Sequence, residues 1–153
     1  MSEVEIPEHC HEILKGATVG TISTIRVKDG LISTNPVGYV WDGKQLRIST
    51  LKSRVKCKNL VANPTVAFCV VSVKDLTQYV EIRGHATIED DDADNSFFRR
   101  QFFEGTAGEE PPDDLDPPGS QRVILTIHPE QVSSPAMYGG RFEEKWPTVR
   151  PER

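Results

Sequence analysis

Two aspartate–glycine pairs, Asp29-Gly30 and Asp42-Gly43, separate three stretches rich in β-branched residues. The stretches are VGTISTIRV (19–27), LISTNPVGYVW (31–41) and KQLRIST (44–50). Glycine reaches the left-handed backbone conformation that a tight hairpin requires, and aspartate tolerates the same turn. Two such turns so close together predict a three-stranded antiparallel meander, which narrows the available folds more than any other feature of the chain. Pro36 has no N–H to give to a sheet ladder, so its strand needs a bulge or an open edge there.

The remaining pattern extends this β-rich reading. Residues 7–15 predict a short helix started by Pro7 and closed by Gly16, with Cys10, Ile13 and Leu14 on one buried stripe. TVAFCVVSV (65–73) is almost continuously apolar, as in a strand buried on both faces. QYVEIRGHATIE (78–89) alternates, with Val80, Ile82, Gly84, Ala86 and Ile88 on one side and Tyr79, Glu81, Arg83, His85 and Thr87 on the other. Asp94-Asn95-Ser96 is a capping signal for a helix carrying Phe98 and Phe102. Residues 105–120, with four prolines and five acidic side chains, predict a solvated loop, and RVILTI (122–127) a last strand. The termini, 1–6 and 134–153, read as irregular, although Met137, Tyr138, Phe142 and Trp146 call for a docking surface on this subunit or a partner. The expectation is one mainly β domain over 1–153: a six-stranded antiparallel barrel with peripheral helices.

Composition limits the function. A net charge of −5 argues against a nucleic-acid face. No apolar run approaches the roughly 20 residues of a membrane span. The acidic start lacks the features of a signal peptide, which places the chain in the cytoplasm, and Cys10, Cys57 and Cys69 then read as plain thiols. No GxSxG, HExxH, GxGxxG or GxxxxGK[ST] pattern occurs. His9, Cys10 and His11 are adjacent on a helix and point in different directions, so they make a poor metal site. His85 and His128 are the mid-chain candidates for a haem ligand, His85 lying on a strand face whose default is solvent.

Against this acidic background, STLKSRVKCKN (49–59) crowds Lys52, Arg54, Lys56 and Lys58 together. The pattern predicts a helix over 51–62, stopped by Asn63-Pro64, with Cys57, Leu60 and Val61 buried and 52 and 56 on one face. Cations at a helix N-terminus oppose the macrodipole, a cost of tenths of a kcal/mol. A run of charges is ordinarily a solvated face. Here unpaired N–H groups, the hydroxyls of Ser49, Thr50 and Ser53, and the cations converge, which favours a site for a phosphate or carboxylate.

STNPVGYVWDGKQLRIST, SRVKCKNLVANPTVAF and YVEIRGHATIEDD together resemble the pyridoxamine-phosphate-oxidase-like split β-barrel family. More narrowly they resemble its branch that uses the deazaflavin coenzyme F420, in consistent order from about residue 10 to 133. The resemblance implies a homodimer with a cofactor groove at the interface and a small-molecule substrate. It places the cofactor phosphate at Ser49, Thr50, Ser53, Arg54 and Lys56, with Lys52 and Lys58 drawing its acidic tail. It places the ring along Asn35, Pro36 and Val37, and Gln78 and Tyr79 where a partner subunit closes the groove. In the flavin-using oxidases a lysine directly follows the arginine; here Val55 intervenes, which favours F420 over FMN. The implied activity is hydride transfer between F420 and an unsaturated or carbonyl-conjugated molecule. An FMN enzyme, or a non-catalytic cofactor- or haem-binding module, is the alternative. Tyr39 is a weak candidate for a proton donor.

Overall fold

The computed structural model describes residues 2–135, so Met137, Tyr138, Phe142 and Trp146 lie outside the described residues. A 3₁₀ turn at Glu8–Cys10 leads into α1 (His11–Gly16). Then follow β1 (Val19–Ile25), β2 (Ile32–Gly38), β3 (Val40–Trp41), β4 (Leu46–Leu51) and α2 (Val55–Ala62). β5 (Thr65–Val71), β6 (Tyr79–Asp90), α3 (Ser96–Gly105) and β7 (Arg122–Ser133) complete the order. The strands form one antiparallel sheet, β2-β1-β5-β6-β7-β4-β3. It curls around a core of Leu14, Ile22, Ile48, Phe68, Ile82 and Leu125, with Cys10 and Cys57 among the buried residues. No helix of the described residues is long and apolar enough to cross a membrane.

The predicted meander is split by one residue. Ile32–Gly38 pairs with β1, whereas Val40–Trp41 pairs with β4 at the other end of the sheet. Tyr39 makes the bend and is 4% exposed. Its hydroxyl lies 2.6 Å from the Leu14 carbonyl and 2.9 Å from that of Ala17, its one proton serving either. A single chain segment thereby supplies both edges of the sheet, which is why six predicted strands become seven among the described residues. Pro36 sits opposite Thr21 in unbroken register, so the open edge holds and the predicted bulge does not.

The bulge of this sheet lies instead between Arg83 and Gly84. A Cβ at Gly84 would stand 1.9 Å from the His128 carbonyl oxygen, so β6 and β7 approach there only because position 84 is glycine. β5 is buried on one face only: Val66, Phe68 and Val70 point inward, while Val71 is 45% exposed. Its apolar run therefore carries more hydrophobic surface than the described residues cover. The predicted face of β6 is borne out, with Val80, Ile82, Gly84 and Ala86 buried.

Candidate functional site

The cationic segment folds as a turn followed by a short helix. α2 begins at Val55 with Arg54 as its N-cap residue, and no side chain caps it. Lys52 and Ser53 therefore precede the helix, and Lys52 does not share a face with Lys56; its ammonium group lies 3.7 Å from Asp90. The buried side of α2 is Cys57, Asn59 and Leu60, while Val61 is 78% exposed. Asn59 turns the helix this way. Its amide donates to Thr24 Oγ1 at 3.0 Å and accepts from the Val27 N–H at 3.2 Å, tying α2 to the end of β1. Arg54 is exposed and Lys56 half-buried. Burial, with the neighbouring Arg54 charge, pulls the Lys56 ammonium below the ordinary lysine range. An anion bound here would relieve that strain and supply the missing cap.

Ser49 and Thr50 lie near the end of β4 and are each 6% exposed. Successive strand residues face opposite sides, so the two hydroxyls diverge. Thr50 pairs with Val123 of the core. Ser49 faces α3, where its N–H donates to Gln101 Oε1 at 2.7 Å and its hydroxyl lies 3.5 Å from Arg122 Nη1. One ligand oxygen cannot take both hydroxyls from the same side of the strand.

Beside α2 runs a groove of about 440 Å³ lined by Arg26, Val27, Lys28, Ser33, Val55, Lys58 and Asn59. The β1–β2 turn thus adds Arg26 and Lys28 to the predicted cations; Arg26 is paired with Asp29 at 3.1 Å. Asn35 and Val37 alternate with exposed Thr34 and Pro36 along β2, on the same face as Ser33. Gln78 and Tyr79 are remote: Tyr79 pairs with Val71 at the far end of β5 from α2. A strand of that length spans roughly 20 Å. Within one chain these two residues do not join the rest.

Tyr39 is removed from the candidate chemistry by its burial, which also drives its phenol well above the ordinary tyrosine range. His11 is likewise engaged, with Nε2 3.0 Å from the Ile6 carbonyl and its ring 5.0 Å from Trp41. His85 and His128 stack with centroids 4.8 Å apart, beside Glu130 and Glu3 respectively.

The sequence reading missed Gln101, Asn59 and Arg122. Arg122 makes two 2.7 Å bonds to Asp116 of the acidic loop and lies 3.6 Å above the Phe98 ring. Its position as the first residue of an apolar strand carries no local signal of that role. The loop is solvated as predicted, apart from the buried Pro111 and the half-buried Asp116.

The family model of pyridoxamine 5′-phosphate oxidase matches residues 6–134. The chain belongs to the pyridoxamine 5′-phosphate oxidase family. Among solved structures, an F420 reductase shares 30% identity and a TM-score of 0.70 with this member, covering 84% of this chain and 98% of that one. A putative pyridoxamine 5′-phosphate oxidase from Listeria innocua shares 20% identity over 83% of this chain and 95% of that one, with a TM-score of 0.64. An FAD-binding protein from Mesorhizobium loti shares 21% over 88% and 97%, with a TM-score of 0.59. These last two similarities establish the fold alone. No curated protein matches this family member.

Proposed function

We propose that this family member is a coenzyme F420-dependent oxidoreductase reducing an unsaturated or carbonyl-conjugated small molecule. The observation that carries the reading is the start of α2: an N-terminus with no side-chain cap, set among Lys52, Arg54, Lys56 and Lys58. A phosphate group fits that arrangement, and the 30% identity to an F420 reductase favours the deazaflavin. When bound, the deazaflavin supplies the hydride chemistry. Arg54 and Lys56 would hold its phosphate with the free N–H groups of α2, and Asn35 and Val37 would flank its ring along β2. Lys58, with Arg26 and Lys28 in the adjoining groove, would draw its acidic tail. These residues bind and orient; none of them is assigned to proton transfer.

The proposal includes a homodimer in the cytoplasm. The outer face of β1 and β5 carries the small residues Thr21, Ser23, Ala67 and Cys69, flanked by Val19 and Val71, both about half exposed. A groove of about 530 Å³ adjoins it at Ser23 and Ala67 and extends toward Arg83 and Gln131. A second copy on this face would cover the surplus apolar surface of β5 and could bring its Gln78 and Tyr79 toward the cofactor, where one chain cannot.

The test is a pair of fluorescence titrations of the purified chain, with F420 and with FMN. F420 is expected to bind more tightly; tighter binding of FMN would overturn the deazaflavin assignment in favour of the flavin reading. Ala67→Lys is expected to convert a dimer to a monomer by light scattering.

A further inference from the structure

The acidic loop reaches the candidate phosphate site through one ion pair. Asp116 takes both forks of Arg122, through Nε and Nη2 at 2.7 Å each, while Nη1 of the same guanidinium lies 3.5 Å from the Ser49 hydroxyl. The guanidinium is fixed from above by the Phe98 ring, and the pair is largely shielded, with side-chain exposures of 13% and 20%. Two parallel charge-assisted bonds in a partly shielded setting exceed an ordinary surface pair. The Asp116 carboxyl is held below the ordinary carboxylate range, first by its bonds to Arg122 and also by the charge of Arg54. Arg122 pairs with Leu51, and the Gln121 carbonyl accepts from the Lys52 N–H at 2.9 Å, so the loop delivers a negative charge beside the segment that leads into Arg54 and the proposed phosphate position.

We infer that Asp116 is a built-in competitor for that phosphate, acting through Arg122 and setting how strongly the site prefers phosphate-bearing ligands. Held by Asp116, Arg122 supports Ser49 but has its charge neutralised. With the carboxylate removed, Arg122 adds its full positive charge to that of Arg54 and Lys56. Asp116 is thus a positioning residue whose effect is confined to the anionic part of the ligand. This inference rests on the phosphate placement proposed above.

The experiment uses the full chain and its Asp116→Asn, Asp116→Glu, Asp114→Asn and Arg54→Ala variants. Each is titrated with F420, with inorganic pyrophosphate as competitor, and with the phosphate-free deazaflavin riboside. Asp116→Asn is expected to bind F420 and pyrophosphate about three- to tenfold more tightly, with affinity for the riboside unchanged. Asp116→Glu should behave like the parent. Asp114→Asn, an exposed acid of the same loop, should change nothing. A loop that was merely loosened would not distinguish ligands with and without phosphate. Equal or weaker F420 binding by Asp116→Asn overturns the inference, as does an equal gain in Asp114→Asn. If Arg54→Ala weakens binding while Asp116→Asn does not strengthen it, the phosphate placement stands and the competitor falls. If Arg54→Ala changes nothing, the placement itself fails and takes the competitor with it.

Discussion

Helices α2 and α3 begin in opposite ways within one sheet-and-helix frame. α3 is capped by carboxylates: Asp91 accepts from the Phe97 and Phe98 N–H groups at 3.2 and 3.0 Å, and Asp92 from that of Ser96 at 2.9 Å. The N-cap residue Asn95 makes no side-chain cap, and its φ of 53° places it in the left-handed region. α2 starts on Arg54, with no capping side chain and with cations on both sides. In α3 the dipole is met by the protein's own anions, and that helix end is purely structural. In α2 no described side chain meets the same demand, and its exposed start is open to solvent or to the proposed phosphate. A helix end that the chain declines to finish is a stronger pointer to a ligand than charge alone.

This contrast can be broken from either side. The largest effect is expected at the finished end. Asp91→Ala leaves two buried N–H groups without partners and should lower stability by about 2–3 kcal/mol in urea unfolding. If the loss is negligible, the carboxylate cap is not what holds α3. At the unfinished end, Arg54→Ala should leave stability nearly unchanged but weaken F420 by about 1–3 kcal/mol, as read by fluorescence titration. A fall in stability without a fall in affinity would make α2 an ordinary helix start. Exchanging the two designs is a sharper test. Arg54→Asp gives α2 an acidic cap, so it should raise stability by about 0.5–1 kcal/mol while eliminating phosphate binding.

The smallest effect is in pH. The Asp116 carboxyl is depressed on folding, so its contribution is complete above the ordinary carboxylate value of about 4. It is lost as the pH falls through the lower folded value. Asp116→Asn should therefore lower stability slightly at neutral pH and converge with the parent in acid, so that the fall in stability below about pH 4 is shallower in the variant. An unchanged acid limb would show that the pair does not anchor the loop.

Much of the frame was legible because it obeys local rules. Gly30 and Gly43 have φ of 71° and 94°, in turns closed by bonds to the Asp29 and Asp42 side chains. The period-two burial of β6 and the stripe of Cys10 and Leu14 could also be read directly from residue spacing. What failed was decided at long range. Tyr39 bends its strand because carbonyls of α1 and of the segment after it receive its hydroxyl, and no local pattern announces that. Asn59 occupies the buried side of α2 in place of Val61 because Thr24 and Val27 offer it partners 35 and 32 residues away. The α3 start was placed correctly, with Asn95 as its N-cap residue, but the carboxylates that cap it are Asp91 and Asp92, a few residues upstream of the predicted signal. The candidate site was legible as a cluster of charge. Its links to Gln101, Arg122 and Asp116 were not, since they depend on how β7 and the acidic loop return to β4.

The place of β7 also bears on how the chain is made. It is the last strand of the described residues, yet it lies between β4 and β6 and pairs with both. Until residues 122–133 leave the ribosome, β4 has only the two residues of β3 beside it, and β6 has an unsatisfied edge. A nascent chain grows by about 5–20 residues per second. For several seconds it therefore presents two open strand edges that only its own final strand can fill. Premature termination anywhere before β7 should yield a product that chaperones retain or that aggregates, rather than a smaller folded protein.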